Sequence, residues 1–150
     1  MSNRIALFAE LIYTSQMICV QWGDKMSSYY EVRNGVKQGG VLSPILFILY
    51  MDVLLGRLKK SGTGCHIGST FCGAFGYADD VVLLSPSLSG VKTLLEICAE
   101  YSEDYDVKFN PEKSKLMLFG GATQPPGGVT FMGGIIEAVQ SDVHLGKPDW

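Results

Sequence analysis

Two short stretches of this 150-residue sequence combine residue types that could do chemistry. The first is Tyr77-Ala78-Asp79-Asp80. Two adjacent carboxylates on a short turn repel each other unless something positive lies between them. A divalent cation is the natural partner, and Mg²⁺ favours one or two carboxylates plus substrate phosphates. Phosphoryl-transfer enzymes often hold two such ions about 3.5–4 Å apart, serving the attacking and the leaving oxygen. Y-x-D-D on its own also suits a solvated turn. The apolar residues on both sides weigh against that reading.

The second stretch is Gly35-Val36-Lys37-Gln38-Gly39-Gly40-Val41-Leu42-Ser43-Pro44. A plain loop-to-helix cap explains Ser43 and Pro44, but not Gln38 set between glycines. Glycines let a backbone approach a nucleotide closely, and a glutamine amide reaches base or sugar with both donor and acceptor. The functional reading is therefore favoured here.

The elements that position these residues follow from periodicity and punctuation. Ile5, Phe8, Leu11, Ile12 and Ser15 predict a helix. Strands at 17–22 and 26–32 flank Gly23-Asp24-Lys25 as a hairpin. Ser43 as cap and Pro44 at the first helical position start a helix running to Lys60. Its apolar residues Ile45, Leu46, Ile48, Leu49, Val53 and Leu55 cover most of its circumference, which predicts a core helix with Asp52 on its solvated stripe. Residues 61–69 are expected as a loop. Strands at 71–77 and 81–84 place Ala78-Asp79-Asp80 at a hairpin tip. The small face Cys72, Ala74, Gly76 and Ala78 leaves room for something bulky against the backbone. Leu88, Val91, Leu94, Leu95, Cys98 and Tyr101 predict an amphipathic helix with Glu96, Glu100 and Glu103 outward. Strands at 107–109 and 115–119 flank an Asn110-Pro111-Glu112-Lys113 turn, and a last hairpin over 129–139 bends at Gly133-Gly134. This order predicts an α+β domain, helices on one face of an antiparallel sheet.

Composition sets the bounds. At 47% hydrophobic, 18% charged and a net charge of −3, the chain suits one domain with a core and excludes disorder. Cys19, Cys65, Cys72 and Cys98 are too few and too irregular for a disulfide framework, and are expected reduced and mostly buried. Cys65-His66 with Cys72 gives only a thin hint of zinc. The most apolar run, residues 44–55, is too short to span a bilayer, and no secretory signal opens the sequence. An intracellular protein, in cytoplasm or nucleus, is expected. Residues 1–78 carry seven Lys/Arg against four acids, and residues 79–150 five against eleven. That acidic balance argues against a freestanding non-specific nucleic-acid binder.

In this order and separation the residues resemble the palm of reverse transcriptases, specifically those of non-LTR (LINE-type) retrotransposons. G-V-K-Q-G-G-V-L-S-P matches that family's motif B and F-G-Y-A-D-D-V-V-L-L its motif C. V-K-F-N-P-E-K-S-K-L-M-L-F matches motif D, and His144-Leu145-Gly146 motif E. The resemblance implies a polymerase palm-type fold and an RNA-directed DNA polymerase with two Mg²⁺ ions, acting on an RNA template, a DNA primer and deoxynucleotides. It implies Asp79 and Asp80 as metal ligands, and Gly35, Gln38, Gly39, Ser43 and Tyr77 around nucleotide and template. Lys113 is implied at the leaving phosphate, against a solvated-turn alternative, and His144, Leu145 and Gly146 as primer grip. The family's further metal-binding aspartate, in motif A, has no counterpart in these residues, nor have fingers and thumb. The expectation is a partial domain, motifs B to E over residues 1–150, inactive alone and with no membrane association; its oligomeric state is left open. The alternatives are a non-catalytic nucleic-acid- or protein-binding remnant and a group II intron maturase-like fragment.

Overall fold

A computed structural model describes residues 16–32, 35, 39–120, 128–140, 143–144 and 147–148. The helix expected at 5–15 lies outside them, as do Gln38, Leu145, Gly146 and the His144 side chain. The chain divides into two units, Met1–Leu49 and Tyr50–Trp150.

In the first unit the expected hairpin forms as two short ladders. β1 (Gln16–Ile18) pairs antiparallel with β4 (Tyr30–Val32), and β2 (Gln21–Trp22) with β3 (Lys25–Met26) around Gly23-Asp24. The ladders are separated where the Val20 N–H donates to the Ser27 hydroxyl and the Ser27 N–H to the Val20 carbonyl, both at 2.9 Å. Gly23 takes φ +59°, which a turn residue without Cβ adopts freely.

Helix α1 spans Ser43–Lys60. Its first helical bond runs from the Leu46 N–H to the Leu42 carbonyl at 3.0 Å. Ser43 is therefore already inside the helix rather than its cap, and Pro44 follows in the first turn, where a missing N–H costs nothing. Arg57, Lys59 and Lys60 occupy the last turn and suit its negative end. The buried stripe is Met51, Leu54 and Leu58, whereas Ile45 and Ile48 are 56% and 62% exposed. A helix apolar nearly all round does not announce its buried side; the position of its packing partner decides it.

In the second unit that partner is helix α2 (Leu88–Tyr105), which buries Leu94, Cys98 and Tyr101 as its spacing predicts. The Ser87 hydroxyl caps it, accepting from the Gly90 N–H at 3.1 Å. The Tyr101 hydroxyl donates to the Tyr50 carbonyl at 2.7 Å, and the Tyr50 hydroxyl to the Tyr105 carbonyl at 2.8 Å. Arg57 pairs with Asp104 at 2.6 Å and lies over the Tyr105 ring. Tyr101 and Tyr105 stack at 4.6 Å. Burial, and then the neighbouring Tyr50 and Tyr105, push the Tyr101 phenol up to about 12. Burial alone does the same to the Cys98 thiol.

Two hairpins lie between the helices: β5 (His66–Ile67) with β6 (Thr70–Phe71), and β7 (Ala74–Tyr77) with β8 (Asp80–Leu83). After α2, β9 (Lys115–Met117) runs parallel to β11 (Gly134–Val139), which pairs antiparallel with β10 (Val129–Phe131). β12 (Val143–His144) pairs with β13 (Lys147–Pro148). Leu116, Val129, Phe131 and Ile136 are buried here, and Lys115 pairs with its register partner Glu137 at 3.2 Å.

The class is α+β, with short and mostly antiparallel ladders. Further details depart from expectation. Residues 107–109 form no strand: the Val107 carbonyl accepts from the Ser102 hydroxyl, and Phe109 packs toward Phe131 at 6.0 Å. The expected loop at 61–69 contains β5, and the strand expected at 71–77 is divided between β6, paired with β5, and β7, paired with β8. The last hairpin bends at Met132-Gly133, one residue early, with both at positive φ.

Candidate functional site

The β7–β8 hairpin is paired Ala74↔Leu83, Phe75↔Val82, Gly76↔Val81 and Tyr77↔Asp80. The turn is thus Ala78-Asp79, and Asp80 is the first residue of β8 rather than part of the tip. Ala78 adopts φ +51°, the left-handed conformation that two-residue hairpin turns demand and that L-residues rarely take. Nothing in an alanine announces that geometry. Paired residues share a face, so Phe75, Tyr77 and Asp80 lie on one side of the hairpin. Phe75 and Tyr77 are 52% and 65% exposed, and Asp79 and Asp80 are exposed as well.

The opposite side is the small face. A Cβ built on Gly76 would meet Leu55 Cδ1 of α1 at 3.4 Å. What approaches this backbone is therefore α1. The helix supports the hairpin from behind and leaves the acidic face open. Sequence spacing did not single out Leu55 for this; the missing side chain at Gly76 was the available signal.

No ion pair among the described residues engages Asp79 or Asp80, so their oxygens are available to a ligand. Hard carboxylate oxygens suit a divalent ion of the Mg²⁺ kind. Among the described residues no group of three His, Cys, Asp or Glu side chains is placed to hold a metal. The pair thus fits as part of a ligand set and does not complete one.

Lys113 lies in the expected turn. The Asn110 side chain accepts from the Glu112 and Lys113 N–H groups at 3.0 and 3.2 Å, and the Asn110 carbonyl from the Ser114 N–H at 3.1 Å. Its side chain is exposed and forms no ion pair among the described residues. No hydrogen bond joins this turn to the β7–β8 hairpin among the described residues.

In the glycine-rich stretch, Gly35 and Gly39 take φ +92° and +78°, conformations that require glycine. Ser43 is buried at 6% exposure. The zinc hint at Cys65, His66 and Cys72 dissolves: the His66 ring packs on Phe71 at 5.3 Å, on the other side of its hairpin from the two thiols. Asp52 is exposed. Of the four thiols only Cys98 is buried, so the expectation of mostly buried cysteines does not hold.

The reverse transcriptase (RNA-dependent DNA polymerase) family matches residues 4–139. The chain belongs to that family. Its relatives include the Pol polyprotein of the type-2 retrotransposable element R2DM of Drosophila melanogaster. That protein is 40% identical over 92 residues, covering 61% of this chain and 9% of the relative. The Pol polyprotein of the type-1 element R2 of Popillia japonica is 34% identical over 97 residues, covering 61% and 15%. The RNA-directed DNA polymerase from mobile element jockey of Drosophila melanogaster is 27% identical over 126 residues, covering 80% and 13%. These are non-LTR retrotransposon proteins, as the motifs implied. This reverse transcriptase segment spans between 9% and 15% of their lengths. No helix among its described residues is long and apolar enough to cross a membrane.

Proposed function

We propose that this segment is the palm portion, motifs B to E over residues 1–150, of an intracellular RNA-directed DNA polymerase. The reaction is nucleotidyl transfer: a DNA primer's 3′-hydroxyl attacks the α-phosphate of a deoxynucleotide on an RNA template, and pyrophosphate leaves. The observation carrying this reading is the open acidic face of the β7–β8 hairpin inside a chain of the reverse transcriptase family.

Asp79 and Asp80 would hold Mg²⁺, which when bound neutralises phosphate charge and activates the attacking oxygen. They supply two carboxylates of a set needing a third, so the segment is inactive alone. Leu55 behind Gly76, with the Ala78 turn, fixes the tip from which the carboxylates project. Tyr77, on the Asp80 face, lies beside the primer terminus, and His144-Leu145-Gly146 supports that end. Gly35, Gln38, Gly39 and Ser43 shape the nucleotide and template pocket. The Lys113 ammonium, on a solvated turn, neutralises or protonates the departing phosphate.

The test is a chimera in which this chain replaces the aligned stretch of the R2DM polyprotein, assayed by primer extension on RNA. The reading expects extension, lost by about a thousandfold in Asp79→Asn. A folded chimera that extends equally well with Asp79→Asn overturns it.

A further inference from the structure

Cys65 and Cys72 sit directly across from each other at the open end of the β5–β6 hairpin. The register Ile67↔Thr70 and His66↔Phe71 continues to this pair, because the Cys72 N–H donates to the Cys65 carbonyl at 2.8 Å. Beyond it the two backbones stay close, since a Cβ on Gly64 would meet the Gly73 Cα at 3.0 Å. The Phe71 ring crosses the face carrying Gly64 and Gly73: a Cβ on Gly73 would lie 2.5 Å from it. His66 packs on the same ring. Alternation then puts both thiols together on the opposite face. Directly opposed antiparallel partners have Cα atoms about 4.5–5.5 Å apart, within the span a disulfide bridges. Both cysteines are partly accessible, unlike Cys98.

Their position gives the pair a consequence. The Cys65 N–H donates to the Leu84 carbonyl at 3.0 Å, and the Leu84 N–H to the Gly73 carbonyl at 2.8 Å. The two cysteines therefore border the base of the β7–β8 hairpin, whose far end carries Asp79 and Asp80. We infer that Cys65 and Cys72 form a reversible dithiol–disulfide pair that, when oxidised, staples the base of that hairpin. The oxidant is a small disulfide such as oxidised glutathione. One protein thiolate attacks it and releases one glutathione thiolate. The second protein thiolate then attacks the mixed disulfide and releases the other. The two protons lost by the cysteines end on the two glutathione molecules, which carry away the electron pair.

The test uses the 150-residue chain equilibrated in glutathione buffers of graded potential, quenched, alkylated and digested with trypsin. The peptide 61–92 contains these two cysteines and no other. The inference expects this peptide, under oxidising buffer, to escape alkylation and weigh two hydrogens less than its unalkylated dithiol form, and to take up two alkyl groups after dithiothreitol. Cys65→Ser should instead leave a persistent glutathione adduct on Cys72. Amide hydrogen exchange over residues 77–84 should slow by about tenfold in the oxidised chain, as opening from the base is blocked. Two glutathione adducts on the wild-type peptide, or two free thiols under oxidising buffer, overturn the pair. An internal bond with unchanged exchange overturns the staple. None of these readouts depends on polymerase activity.

Discussion

Substitutions at Gly76 test the support of the acidic hairpin by α1, and the structure gives them opposite signs. A Cβ at this position meets Leu55 Cδ1 at 3.4 Å, Cδ2 at 3.9 Å and Cγ at 4.0 Å, and nothing else within 4 Å. That is ordinary contact, so Gly76→Ala adds packing without a clash. It also removes the entropic cost of a glycine in a strand, for a gain of about 0.5–1 kcal/mol. Gly76→Val adds two further methyl groups beside a Cβ already in contact with that leucine, and overpacking costs about 1–3 kcal/mol. For a chain of this size each kcal/mol moves Tm by about 2–4 °C. Urea and thermal unfolding of the two variants should therefore shift in opposite directions. Leu55→Ala should cancel most of the valine penalty in a double-mutant cycle. A neutral Gly76→Val in the Leu55 background, or a penalty that survives Leu55→Ala, would refute the contact as the hairpin's support.

Other expectations follow from single features. Met132 and Gly133 both take positive φ between Phe131 and Gly134, the turn for which Asn-Gly is preferred. Met132→Asn should raise the urea midpoint by the equivalent of about 0.5–1 kcal/mol. Tyr101→Phe removes the 2.7 Å bond to the Tyr50 carbonyl and should cost about 1 kcal/mol in chemical unfolding with the helix content retained. Folding raises the Tyr101 phenol from 10.0 and the Cys98 thiol from 9.0, each to about 12. The folded chain binds these protons more tightly than the unfolded chain, so their contribution is complete below pH 9 and disappears as the pH climbs toward 12. Unfolding midpoints should fall across that interval, and a flat profile would contradict the burial of both groups.

Much of this arrangement was legible in the sequence. Amphipathic spacing located α2 and its buried Leu94, Cys98 and Tyr101, because one polar stripe leaves one choice of face. Tyr77-Ala78-Asp79-Asp80 between apolar runs located the β7–β8 hairpin. The same logic failed on α1, where Ile45 and Ile48 were expected in the core and are exposed. With apolar residues nearly all round, only the positions of Tyr101, Tyr105 and Asp104 on the neighbouring helix decide which side is covered. Turn details were out of reach for a different reason. Ala78 and Met132 hold positive φ because strand pairing fixes the loop length at two residues, and neither side chain signals it. Residues 107–109 carry strand-like alternation, yet a hydroxyl from α2 takes the Val107 carbonyl and the Phe109 ring packs on Phe131. The parallel pairing of β9 with β11 is long-range and leaves no local trace.

The central proposal is that Asp79 and Asp80 hold a divalent ion. Iron-directed cleavage tests it most directly. In the chimera with template, primer and deoxynucleotide, Fe²⁺ replaces Mg²⁺, and radicals generated at the bound iron cut nearby backbone. The account predicts cuts at residues 77–80, abolished by Asp79→Asn. No cuts at residues 77–80, or a pattern indifferent to Asp79→Asn, would contradict it.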